Sequence, residues 1–117
     1  MTRFKFILGQ SSHIVGFSII GHAGYAAHGG DIVCAGISGG VQLLEIGIEN
    51  ILGLNEAFKK NKAKAIIICK MPENLSDEEK EKFFLLTDTF YQYILQLERQ
   101  YKKHIYVVKR RLNHVEN

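Results

Sequence analysis

Apolar and polar residues alternate from Arg3 to Leu8, with Phe4, Phe6 and Leu8 on one side and Arg3, Lys5 and Ile7 on the other. This period of two predicts a half-buried strand. Val15, Phe17 and Ile19 repeat the alternation up to Ile20, and the polar connection Gly9 to His13 is short enough for a hairpin. From Ile32 to Leu54 the spacing becomes helical: Ile37, Val41, Leu44, Ile48 and Ile51 or Leu52 form one stripe. Gly36, Gly39, Gly40 and Gly47 each cost that helix about 1 kcal/mol relative to alanine, so tertiary packing must hold it, and Gly53 is placed to stop it. The polar stretch Asn55 to Lys62 reads as a connection, and Ala63 to Cys69 as a buried strand.

Ser76-Asp77-Glu78-Glu79 is a capping box and predicts a second helix after Met71-Pro72. Phe83, Leu86, Phe90, Ile94, Leu97 and Tyr101 follow on one stripe, with Phe84, Tyr91 and Leu95 on a second beside it. The second stripe fits either a dimer contact or a helix sunk deep in the fold. His104 to Lys109 is the last predicted strand. The order β-β-α-β-α-β indicates an α+β fold, a mostly antiparallel sheet packed with two long helices, formed by residues 1–117 as a single domain.

Composition narrows the function classes. With 117 residues, 46% of them hydrophobic, the chain can bury one core without disulfide or metal. The two cysteines stand far apart and the first ten residues lack a secretory pattern, which fits a reducing, cytoplasmic setting. No run of 18 to 20 consecutive uncharged apolar residues suggests a membrane span. The net charge of +3 comes from clusters at Lys59 to Lys64, at Lys102 and Lys103, and at Lys109 to Arg111. Such a bias permits a ribosomal or RNA partner but is more often a solvated edge.

The chemistry-bearing stretch runs from Gly21 to Cys34, between a strand end and a helix start. With Asp31 as N-cap, Cys34 is expected at the third helical position, where unpaired N–H groups and the helix dipole favour a thiolate. The Gly- and Ala-rich segment between them is long enough to bring His22 back beside Cys34, and a histidine-activated cysteine is the minimal equipment for acyl transfer. Free N–H groups near Cys34 would also stabilise an oxyanion. Cys69, inside an apolar strand, reads as inert core; His13 and His28 receive no catalytic role. His22, His28 and Cys34 fit no familiar zinc spacing, so neither metal nor cofactor is expected. Two other classes remain open on residues alone: a noncatalytic ribosome- or RNA-binding module, and a redox sensor that would need Cys69 to approach Cys34.

Gly21-His22-Ala23, Gly29 and Asp31-Ile32-Val33-Cys34-Ala35-Gly36 together resemble the signature of the ribosomal-processing cysteine proteases, and the segment order agrees along nearly the whole chain. The resemblance implies a thiol endopeptidase with His22 and Cys34 as catalytic pair and Asp31 in a supporting position. It implies a mobile loop formed by Gly24, Tyr25, Ala26, Ala27, His28, Gly29 and Gly30, and a homodimer. It also implies a substrate, the precursor of large-subunit ribosomal protein twenty-seven, cut after a phenylalanine-containing motif, with no need for nucleic acid or membrane. An apolar pocket near Cys34 would receive that motif, with Ile32, Ile37, Tyr25 and the helix glycines as neighbours.

Overall fold

The computed structural model describes residues 1–21 and 28–112, with residues 28–31 described by their backbone alone. Strand β1 (Thr2–Leu8) and strand β2 (Ile14–Ile20) form the expected hairpin, closed by the Gly9 N–H donating to the His13 carbonyl at 2.9 Å. The register slips between Ile7 and Leu8, where Leu8 pairs with Ile14 and Ile7 with Gly16. Val15 is the residue left over. The bulge shifts the inward parity, so that Ile14 rather than Val15 is buried beside Phe17 and Ile19.

Helix α1 (His28–Glu45) passes without a break into a π-helical segment, Ile46–Ile51. The Leu52 N–H donates to the Gly47 carbonyl at 3.0 Å, and Gly53 at φ +74° ends the helix as expected. Strand β3 (Phe58–Asn61), which the sequence pattern had left inside a connection, and strand β4 (Ile66–Lys70) make a second hairpin. Asn61 starts its turn by accepting the Lys64 N–H on Oδ1, and Ala65 closes it at φ +53°. Helix α2 (Asp77–Gln100) begins on the predicted capping box, with Ser76 Oγ accepting from the Glu79 N–H and Glu79 Oε1 from the Ser76 N–H. Strand β5 (Ile105–Arg111) follows.

The sheet runs β3-β4-β2-β1-β5. Every neighbouring pair is antiparallel except β1 with β5, which is parallel. The fold is α+β, as expected, with one more strand than the sequence pattern predicts. Register places Phe4, Phe6, Phe17, Ile19, Cys69 and Ile105 on one face, and both helices pack there: Val33, Ile37, Val41, Leu44 and Ile48 from α1 and its π extension, and Phe83, Phe90, Ile94 and Leu97 from α2. The second stripe of α2 is used within the chain. Tyr91 meets Phe6 edge-on at 4.7 Å between centroids and lies under the Lys109 ammonium, while Phe84 stacks on His13.

Residues Ile32–Ile51 are long and apolar enough to cross a membrane by length and composition. Their inner stripe, Val33, Ile37, Val41, Leu44 and Ile48, is buried in the core against the sheet and α2.

Candidate active site

Three elements converge at one end of the sandwich. The first is the exit of β2. Gly21 has φ +93°, and a Cβ there would lie 2.8 Å from the Met1 carbonyl oxygen, so only glycine fits where the chain leaves the sheet. Its N–H donates to the Ala65 carbonyl at 3.0 Å, tying this exit to the β3–β4 turn. His22 is the next residue; it lies outside the described residues, as do Gly24, Tyr25, Ala26 and Ala27.

The second element is α1. It starts at His28, so Asp31 lies in its first turn and is not the N-cap, while His28, Gly29 and Gly30 are helical rather than part of a loop. Cys34 therefore sits at the end of the second turn. The four N–H groups without intrahelical partners belong to the first turn, and the dipole effect fades beyond it, so the expected helix-tip activation and oxyanion donors do not attach to Cys34. Two glycines in the first turn concealed this from a propensity argument.

Cys34 is half-buried and forms the wall of a cleft of about 430 Å³. Ile37 and Ser38 continue that wall one turn along the helix. The opposite side comes from Ile19 of β2 and Gly21 just past its end, Thr2 of β1, and the third element, the hairpin residues Lys60 to Lys62 and Ala65 to Ile67. Ile37 is thus where the sequence reading puts it. Ile32 is not: it is 64% exposed, outside the cleft. Gly36 faces Tyr93 and Leu97 of α2 instead of a ligand.

The contributions of Thr2, Ser38 and the hairpin were missed because each is polar or belongs to the unrecognised β3. The signal for the hairpin was Asn61, a turn-forming residue four positions before the apolar run, with Phe58 as inward partner of Cys69. Lys60 Nζ is held by Glu45 Oε1 at 2.8 Å, which fixes the rim of the cleft to the end of α1. Thr2 is 2% exposed; its N–H donates to the His104 carbonyl at 2.8 Å, yet its Oγ1 has no hydrogen-bond partner among the described residues.

The second cysteine differs. Cys69 is buried against Phe17 in the sheet, and burial pushes its thiol up to about 12, with the charges of Glu45 and Glu49 adding to the effect. It stays protonated and inert at neutral pH. Both cysteines are free thiols, and Cys34 is the one that faces a cleft. Among the described residues, no three His, Cys, Asp or Glu side chains come together as a metal site.

A nucleophile-type residue in a peptide-sized cleft agrees with known proteins. Residues 1–106 match the family model described as Cysteine protease Prp. The ribosomal processing cysteine protease Prp of Bacillus subtilis (strain 168) is 31% identical over 100 residues, spanning 80% of this chain and 84% of that protein. Among solved structures, SMU.848 from Streptococcus mutans superposes with a TM-score of 0.77 at 21% identity, covering 96% of each chain. The ribosomal processing protease Prp from S. aureus, in complex with a covalently linked product peptide, superposes with a TM-score of 0.72 at 19% identity, over 93% of this chain and 99% of that one. The family match over nearly the full length, joined to the curated relative, establishes that this chain belongs to the cysteine protease Prp family.

Proposed function

We propose that the protein is an endopeptidase that removes the N-terminal extension of large-subunit ribosomal protein twenty-seven, with Cys34 as nucleophile and His22 as general base. The observation that carries this reading is the half-buried Cys34 sulfur in the wall of a cleft large enough for peptide side chains, at the point where β2 delivers the chain to His22. The B. subtilis relative is a ribosomal processing protease, and the S. aureus structure carries a covalently linked product peptide, which supports acyl transfer to a cysteine here.

In the proposed reaction the His22 imidazole takes the Cys34 proton as sulfur attacks the scissile carbonyl carbon. The imidazolium then gives that proton to the leaving amine, the C–N bond breaks, and a thioester remains. Water, deprotonated by the same imidazole, adds to the thioester and releases the carboxylate product and the thiol. Ile37 on one side and Ile19 and Ile67 on the other give the cleft an apolar lining suited to an aromatic side chain. Asp31, three residues before Cys34 in α1, is assigned a positioning role. No cofactor enters this scheme, and the free-thiol chemistry suits a cytoplasmic enzyme.

A homodimer is part of the same proposal. Leu43 and Ile51 are 72% and 76% exposed on α1 and its extension, and Leu85 of α2 is 68% exposed, an apolar surface suited to a second copy.

The test is to mix the protein with the extended ribosomal precursor and read the new N-terminus by mass. The expected result is one cut after the phenylalanine-containing motif by the native protein and none by Cys34→Ser or His22→Ala. Cutting at the same bond by Cys34→Ser would overturn the nucleophile, and an intact precursor with native protein would overturn the substrate.

A further inference from the structure

Among the described residues nothing packs on the face of the sheet away from the helices, and its charge is one-sided. Register carries Arg3, Lys5, Lys59, Lys70 and Arg110 to that face, all of them exposed. None of the five has an ion pair or a side-chain hydrogen bond among the described residues. Among the described residues no strand contains an aspartate or glutamate; their carboxylates lie in helices and loops. The helix side, by contrast, carries the ion pairs Glu45–Lys60, Glu78–Lys82 and Asp88–His13. Tyr106 stands beside Arg3 in the parallel β1–β5 register and is 52% exposed.

We propose that this outer face binds single-stranded RNA, phosphates resting on the five cations and a base stacking on Tyr106. Five strands about 4.8 Å apart spread the cations over roughly 19 Å from β3 to β5, with Arg3 and Lys5 about 7 Å apart along β1. Unpaired cations with no carboxylate among them attract a polyanion and repel a second copy of the same face. An exposed tyrosine beside a guanidinium is the stacking platform that a single strand uses and a stiff duplex does not. Ile66, at the edge of this face, also lines the cleft, so RNA held here leaves the cleft open next to it. RNA binding at this face does not depend on the proteolytic reading of the cleft.

The test is fluorescence anisotropy of a labelled oligouridylate with the full chain across a salt series. Five neutralised phosphates give a slope of log affinity against log salt of about −3.5, which falls to about −2 in Arg3→Ala/Lys5→Ala. The pair Lys59→Ala/Lys70→Ala, on β3 and β4 of the same face, gives the same drop and guards against misfolding of the first variant. Tyr106→Ala weakens binding about tenfold with an unchanged slope, since stacking releases no counterions. The control Lys102→Ala/Lys103→Ala removes equal charge from the turn after α2 and leaves the slope near its native value. Three results would overturn the proposal: no saturable binding at about 50 mM salt, an equal loss in the control pair, or polyglutamate displacing the RNA at equal concentration of charge.

Discussion

The contact between α1 and α2 makes Gly40 the most informative position for mutation. A Cβ built there lies 2.6 Å from Cε2 and 3.0 Å from Cδ2 of Tyr93, and 3.5 Å from Cε1 of Phe90. Tyr93 crosses α1 at this point and donates its hydroxyl to the Gly36 carbonyl at 2.8 Å. Gly40→Ala therefore has two opposed effects. Alanine favours the helix by about 1 kcal/mol. Against it, the ring must swing away, losing a hydrogen bond of about 1 kcal/mol and some packing, for a combined cost of about 2 to 3 kcal/mol. The net expectation is a loss of about 1 to 2 kcal/mol. In a Tyr93→Ala background the obstacle is gone, because the Phe90 contact is an ordinary one, and Gly40→Ala should then stabilise by about 1 kcal/mol. Urea unfolding followed by circular dichroism, compared at equal m, closes the double-mutant cycle with a coupling of about 2 to 3 kcal/mol. An unchanged loss in the Tyr93→Ala background would refute the reasoning, since the strain would then not come from the ring.

Further outcomes follow from other contacts. Thr2→Val removes a buried hydroxyl that has no partner among the described residues and keeps the shape, so it should stabilise by about 1 kcal/mol, read as a rise in melting temperature of roughly 4 °C. Asp88→Ala removes the Oδ1 acceptor of the Ile14 N–H and the partner of His13 together, for a loss of about 1 to 2 kcal/mol in the same assay; Asp88→Asn keeps an acceptor and should lose less. A thiol reagent at neutral pH should label one cysteine in the folded protein and two in denaturant, with peptide mapping placing the first on Cys34. Because the Cys69 thiol is raised from 9.0 to about 12, the unfolded chain loses that proton first on alkaline titration. Stability should accordingly be unaffected by this group below pH 9 and decline between pH 9 and about 12, an effect absent in Cys69→Ala. Leu43→Asp should convert the proposed dimer to monomer in light scattering while leaving the melt of the isolated chain within about 0.5 kcal/mol.

Much of the fold was legible because local and tertiary signals agreed. Ser76 and Glu79 announce α2 to the residue, since a capping box is a purely local hydrogen-bond pattern. Phe4, Phe6, Phe17 and Ile19 alternate because one sheet face is buried and the other is not. Where tertiary contacts decide, the pattern misleads. Val15 has the right parity for the core, but the bulge gives its place to Ile14. Strand β3 was hidden because Lys60, opposite the inward Ile67, meets Glu45 at the rim rather than an apolar neighbour, so its side of the strand does not read as hydrophobic. The start of α1 escaped because glycine propensity argues against a turn that the helix nevertheless contains. For the site, the motif identified Cys34 and the exit of β2, but the facing wall needed the β3–β4 turn, which is a matter of chain return in space.

The parallel pairing of β1 with β5 joins residues about a hundred positions apart, and the Thr2 N–H reaches its acceptor only when His104 has arrived. Loop closure over such a distance makes this a late step in folding. One side of the cleft is floored by Thr2, so a nascent chain that has already wound α1 and α2 still lacks a finished cavity beside Cys34. The wall of the cleft that Thr2 supplies is thus tied to the docking of the last strand, so both ends of the chain have a share in finishing that cavity.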